Sequence, residues 1–181
     1  MSELFLGFDL STQSLTVAAI NHLGEQKYFK SLNFDEICPQ YHTKNGSIEK
    51  DGTVTAPTIM WVEAFFKLLN EMKNDNFPFC QVTGISSDAQ QHGSVFWKTK
   101  DFAKELFNND WEEENLLVIA ENIFSVSNSP IWRDSSTKYE CEYFLSKQPE
   151  VWWKQTTGSI PYERFTGTQL NLILQVQNLR Y

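Results

Sequence analysis

The sequence is short of positive charge, of cysteine and of long apolar runs, and each shortage removes a class of function. Its 15 lysines and arginines face 23 aspartates and glutamates, a net charge of −8. Such a surface repels nucleic acid and anionic membranes unless a local basic patch intervenes, and no such patch is visible. The 3 cysteines, Cys38, Cys80 and Cys141, are odd in number and lack both CxxC spacing and histidine neighbours at metal-ligand distance. They read as reduced thiols of an intracellular protein. No apolar run approaches the ~18 residues of a membrane-spanning helix. The opening MSELFLGFDL has no basic n-region and reads as a strand rather than a secretory signal, so a cytoplasmic protein is expected. Repeats and low-complexity segments are absent, as are GxxxxGK[ST] and GxGxxG, so neither a P-loop nor a dinucleotide fold is supported.

What is present suits one well-cored domain: 181 residues, 41% of them hydrophobic, are too few for two ordinary domains. Residues 3–9, 15–20 and a segment ending near Asn33 predict three consecutive strands joined by polar turns. Residues 35–52, with Pro39, Gly46 and mixed charges, lack periodicity and predict a surface excursion ordered by what it covers. From Thr55 the period changes to 3.6, with Pro57 suited to a first turn and Ile59, Val62, Phe66, Leu69 and Met72 along one face. Pro78 ends this helix, and 81–86 and 93–97 predict two further strands. Strand, helix, strand implies a parallel pair covered by the helix. Residues 101–122 predict a helix whose acidic DWEEEN stretch is a solvated face. Asp134 is suited to capping a helix through about Lys147, ended by Pro149. The final LNLILQVQNLRY alternates like a strand.

Four segments carry chemistry. GFDLSTQS at 7–14 places Asp9 at a strand end and Ser11 and Thr12 in a turn whose hydroxyls and backbone N–H groups suit phosphate oxygens. Asp9 is suited to magnesium, which favours one or two carboxylates plus phosphates and water. The same residues also suit an ordinary hairpin turn. SSDAQQHGSVFW at 86–97 follows a buried strand, so Gln90, Gln91 and His92 fall where loops at a strand's carboxyl end meet a ligand. Amides and an imidazole suit a polyhydroxylated substrate; a structural histidine, with Gly93 permitting close backbone approach, is the other reading. PIWRDSST at 130–137 offers Asp134, as ligand or as cap. YERFTG at 162–167 offers Arg164, as ligand or as surface ion-pair partner.

Taken in order, GFDLSTQS, QYHTKNG, PTIMWVEA, QQHGSVFW, PIWRDSST and YERFTG resemble the FGGY carbohydrate kinases, among them the xylulose kinases of eukaryotes, from residue 4 to about 169. The resemblance implies an α/β, ribonuclease-H-like (actin-like ATPase) domain, with a mixed sheet opening in an antiparallel three-strand meander and helices on both faces. It implies that residues 1–181 are the N-terminal domain, with the second, nucleotide-binding domain absent. The implied reaction is ATP- and Mg2+-dependent phosphorylation of D-xylulose. Residue by residue, Asp9 would assist magnesium and Ser11, Thr12 and Gln13 would lie near the transferred phosphate. His92, Arg164, Gln91 and Asp134 would contact the sugar. The family's base belongs to a GDN-type motif that this sequence lacks, so the resemblance implies that the chain alone is inactive. Two departures stand out: Asp88 precedes QQHG, and Arg133 stands beside Asp134 as a possible pair.

Overall fold

A computed structural model of the chain describes residues 3–98, 100–101, 104 and 113–176. The three predicted strands form as a meander: β1 (Leu4–Leu10), β2 (Ser14–Asn21) and β3 (Gln26–Asn33) pair antiparallel in sequence. Alternation sets the face. Leu4, Leu6, Leu15, Val17 and Ala19 are buried, whereas Phe5 and Ile20 point to the other side and are exposed, as a period of two requires. The β2–β3 turn is closed by Asn21, whose Oδ1 accepts from Leu23 N and Glu25 N, both at 3.0 Å.

After β3 the chain forms a single helical turn, α1 (Phe34–Ile37), and then a small antiparallel sheet begins with β4 (Ile48–Lys50) and β5 (Thr53–Pro57). The helix α2 (Thr58–Asn74) follows at once, and β6 (Val82–Ala89) returns parallel to β1. The main sheet therefore has the order β3-β2-β1-β6, the parallel pair and helical crossover expected from the sequence. β5 was hidden because Thr53–Pro57 runs directly into the helical period.

The helix α2 uses two apolar faces. Met60, Trp61, Ala64, Leu68 and Met72 are buried in the main core with Leu4, Leu6, Val17 and Phe34. Ile59 and Val62, placed by periodicity on the core stripe, pack instead with Ile123 and Phe124, on and beside α3 (Glu113–Ile123). Met72 is buried and Leu69 packs on the main core as the period predicts, whereas the stripe's first two members serve the second neighbour, because a helix with two apolar neighbours is apolar over more than one face. Among the described residues α2 covers one face of the main sheet. On the opposite face Phe5, Ile20 and Phe29 are exposed among the described residues.

The later chain corrects several expectations. Residues 93–97 form no strand; Trp97 makes one isolated bridge to Phe124. β7 (Asn128–Pro130) completes the small sheet beside β5. α4 (Lys138–Lys147) begins after Thr137 rather than Asp134 and is followed by α5 (Glu150–Thr157). The alternating segment after Gln169 is helical: α6 spans Thr166–Val176. Residues 102–103 and 105–112 of the predicted acidic helix, and 177–181, lie outside the described residues.

Candidate active site

The parallel pairing of β1 and β6 sets their carboxyl ends side by side, with Asp9 opposite Asp88 and Leu10 opposite Ala89. At such a point loops diverge and leave a crevice. A cavity of about 350 Å³ opens there. Asp9, Ser11 and Thr12 line it from the end of β1, and Ala89, Gln90, Gln91 and His92 from the end of β6. Trp132 and Arg164 close it from segments far along the chain.

The β1–β2 turn is short because Leu10 pairs directly with Leu15 before the strands part, and Ser11 N donates to Ser14 O at 3.0 Å. Ser11 Oγ donates to Asp9 Oδ2 at 2.8 Å. Thr12 Oγ1 is a junction: it accepts from Trp132 Nε1 at 2.9 Å and donates to Gln90 Oε1 at 3.4 Å. Gln90 N in turn donates to Leu10 O at 2.9 Å, which pins the start of the QQHG loop to β1. The loop then reverses through His92, which adopts a left-handed φ of 59°, an uncommon conformation for a residue with a Cβ. Its ring lies 5.2 Å from that of Phe165. Ser94 anchors the exit, its N donating to Pro130 O at 3.2 Å and its hydroxyl bonding that of Thr166 at 2.8 Å.

Arg164 sits over the Tyr162 ring at 5.1 Å, a cation–π contact. Its Nε is buried without a hydrogen-bond partner among the described residues. A buried donor without a partner is costly.

The structure thus brings Asp9, Ser11, Thr12, Gln91, His92 and Arg164 together around one cavity. Gln13 and Asp134 do not line it. Gln13 is exposed, and its carbonyl accepts from Phe34 N at 2.9 Å. Asp134 is 4% exposed; its Oδ1 accepts from Val54 N at 2.8 Å and its Oδ2 from the Ser136 hydroxyl at 2.7 Å. It tethers β5 to the 131–136 turn instead of capping α4. Arg133 pairs with Glu49 at 3.5 Å, not with Asp134. Asp88 accepts from Ala89 N at 2.8 Å and is not in the cavity wall. Trp132 was missed as a site residue, since a tryptophan between Ile131 and Arg133 reads as core until its indole N–H is seen to need Thr12. Among the described residues no three His, Cys, Asp or Glu side chains are grouped to hold a metal. The three cysteines are free, and Cys38 is fully buried; burial first, then nearby Glu63, pushes its thiol up to about 11, which leaves it inert.

No protein-family model matches the chain. Xylulose kinase 2 of Arabidopsis thaliana is 40% identical to it over 185 residues, covering 99% of this chain and 32% of the relative. The chain is a relative of the xylulose kinases. The xylulose kinase of Saccharomyces cerevisiae is 34% identical over 184 residues, covering 100% of this chain and 30% of that protein. The chain therefore spans about 30% of the length of the xylulose kinases it matches. The solved xylulose kinase of Rhodospirillum rubrum superposes with a TM-score of 0.69 at 12% identity, covering 98% of this chain and 30% of that one. At that identity the likeness shows the fold, the actin-like ATPase fold of the FGGY sugar kinases, as the sequence resemblance implied.

Proposed function

We propose that this chain supplies the sugar-binding side of a xylulokinase-type phosphotransferase, an enzyme that moves the γ-phosphoryl group of ATP to the 5-hydroxyl of D-xylulose. The observation that carries the reading is the convergence of the Ser11–Thr12 turn, Gln91, His92 and Arg164 on one cavity of about 350 Å³. Its walls come from residues as far apart in the chain as Asp9 and Arg164, and only folding collects them. In this reading His92, Gln91 and Arg164 meet the sugar hydroxyls as donors and acceptors. The unpartnered Arg164 Nε supports that role. Trp132 offers an aromatic wall while holding Thr12 in place. Ser11 and Thr12, which line the cavity, form the phosphate side in this reading, where hydroxyls suit phosphoryl oxygens. Asp134 acts structurally, since both its carboxylate oxygens already accept hydrogen bonds.

Magnesium bound with the ATP phosphates supplies neutralisation of the charge on the transferred group. Asp9, the one carboxylate among the described residues that line the cavity, would hold it directly or through water, because magnesium keeps most of its shell as water and phosphate. Proton removal from the attacking hydroxyl needs a positioned base. In this reading the base and the nucleotide pocket belong to the part of the xylulose kinases that this chain does not span.

Calorimetric titration of the folded chain with D-xylulose tests the sugar site. Binding without turnover is expected, and Arg164→Ala should weaken it about 10- to 100-fold, the value of a hydrogen bond to a charged donor. A folded chain that gives no heat removes the sugar site. Xylulose-dependent ADP release by this chain alone removes the claim that its chemistry is incomplete. The limited span also favours a second reading, a sugar- or phosphate-binding module without catalysis. Restoration of turnover by the remaining two-thirds of the Arabidopsis relative separates that reading from the first.

A further inference from the structure

The turn that carries Ser11 and Thr12 has a front, open to the cavity, and a back. The back is covered by the excursion between α1 and β4, and the contact is backbone against backbone. A Cβ placed on Gly46 would lie 2.0 Å from Thr12 O, 2.9 Å from Thr12 C and 3.0 Å from Gln13 Cα. No side chain fits there, and backbone atoms offer no flexible end that moves aside. The loop reaches this position through three residues in the left-handed region: His42 at φ 52°, Asn45 at φ 54° and Gly46 at φ 72°. Two of them carry a Cβ, so the path is unfavourable unless something holds it.

Asp35 holds it. Its carboxylate accepts from Thr43 Oγ1 at 2.7 Å, Asn45 N at 2.6 Å and Gly46 N at 3.0 Å. Asp35 N is itself fixed by Asn33 Oδ1 at 3.0 Å. The preceding residue, Phe34, is fully buried, and its N donates to Gln13 O at 2.9 Å. Two adjacent residues therefore tie the turn with one hand and the loop that presses on it with the other.

We propose that Asp35 and Gly46 are positioning residues that clamp the Ser11–Gln13 turn from behind and so set where the Ser11 and Thr12 hydroxyls stand in the cavity. Neither residue lines the cavity, and each acts through the turn. The functional weight of the clamp rests on the reading of that turn as the phosphate side of the site.

The test reads the indole N–H of Trp132, which reports Thr12 directly because Trp132 Nε1 donates to Thr12 Oγ1. Its resonance in an 15N-labelled chain is assigned by loss in Trp132→Phe. Gly46→Ala is expected to shift that resonance and to speed its hydrogen exchange about fivefold or more, the consequence of losing one hydrogen bond. Asp35→Asn, which removes the charge and adds no bulk, is expected to move the same resonance in the same direction, and it serves if Gly46→Ala does not fold. Gly52→Ala is the control. Gly52 is also left-handed, at φ 81°, but nothing lies within 4 Å of its Cβ position, so it carries the backbone penalty without the clamp. If Trp132 is unmoved by Gly46→Ala and Asp35→Asn, or if Gly52→Ala moves it as far, the clamp is wrong. D-xylulose titration of the same proteins is a separate readout. A chain that binds no sugar yet shows the Trp132 shift retains the clamp and loses only the proposed function.

Discussion

At the scale of single residues, the behaviour of the site depends on which polar atoms are already occupied. Asp35 is the clearest case. Burial raises its pKa, but the hydrogen bonds from Thr43, Gly46 and Asn45 outweigh that and hold the carboxyl below its ordinary value. A carboxyl with a lower pKa folded than unfolded stabilises the fold fully above its unfolded value, about 3.9, and loses that contribution as pH falls through the folded value. The stability difference between the parent and Asp35→Asn is therefore expected to be constant above about pH 5 and to shrink below about pH 4. Urea midpoints across that range check it, and a difference independent of pH contradicts it. Asp35 was legible in the sequence only as part of an excursion ordered by what it covers. Its partners, Thr43, Asn45 and Gly46, have no pattern until the loop's path is known. Arg164 is the converse: its motif marks it as ligand or ion-pair partner, and the structure adds that its Nε has no hydrogen-bond partner among the described residues. Arg164→Lys keeps the charge but not the planar fork, and it should weaken D-xylulose by about tenfold, close to the loss of one charged hydrogen bond. Titration beside the alanine variant checks this, and parent-like affinity would contradict it.

At the scale of elements, α2 carries the largest share of the core. Leu68 and Met60 are fully buried between the helix and the sheet, so Leu68→Ala should cost about 2–5 kcal/mol by transfer and cavity terms together. Denaturant unfolding monitored by circular dichroism measures this directly, and a loss under about 1 kcal/mol would mean that the site collapses easily. Periodicity found this helix because its stripe is long. It put Ile59 and Val62 on the same stripe as Leu69 and Met72, although they serve a second neighbour, Ile123 and Phe124. Short elements were harder. β5 and β7 hold five and three residues, below the length at which alternation separates from chance. The segment after Gln169 alternates in sequence, yet its described part, residues 170–176, is helical. Alternation in a run of five or six residues also satisfies i, i+4 spacing, so the pattern alone does not decide between the two.

For the molecule as a whole, topology was more legible than closure. A meander followed by a helical crossover to a parallel strand left few arrangements, and the observed order β3-β2-β1-β6 is one of them. Between α2 and β6 lies an apolar trough of about 950 Å³, with Phe8, Trp61, Phe65, Ile85, Trp97 and Phe124 in its walls. Ile85 is 69% exposed there, on a strand whose described residues pair with β1 and with no other strand. Parallel strands are normally covered on both faces, and exposed strand edges with apolar side chains promote association. The folded chain is therefore expected to enhance the fluorescence of an apolar dye and to associate as its concentration rises, while still unfolding in one cooperative step. The cooperative step distinguishes this from a loosely packed state, which binds the same dye. Ile85→Lys should reduce both dye binding and association yet change stability by no more than about 0.5 kcal/mol, since the side chain is mostly in solvent already. Dye titration and light scattering of the two proteins decide the matter. If the lysine variant binds dye and associates as the parent does, the trough beside β6 is not the surface responsible.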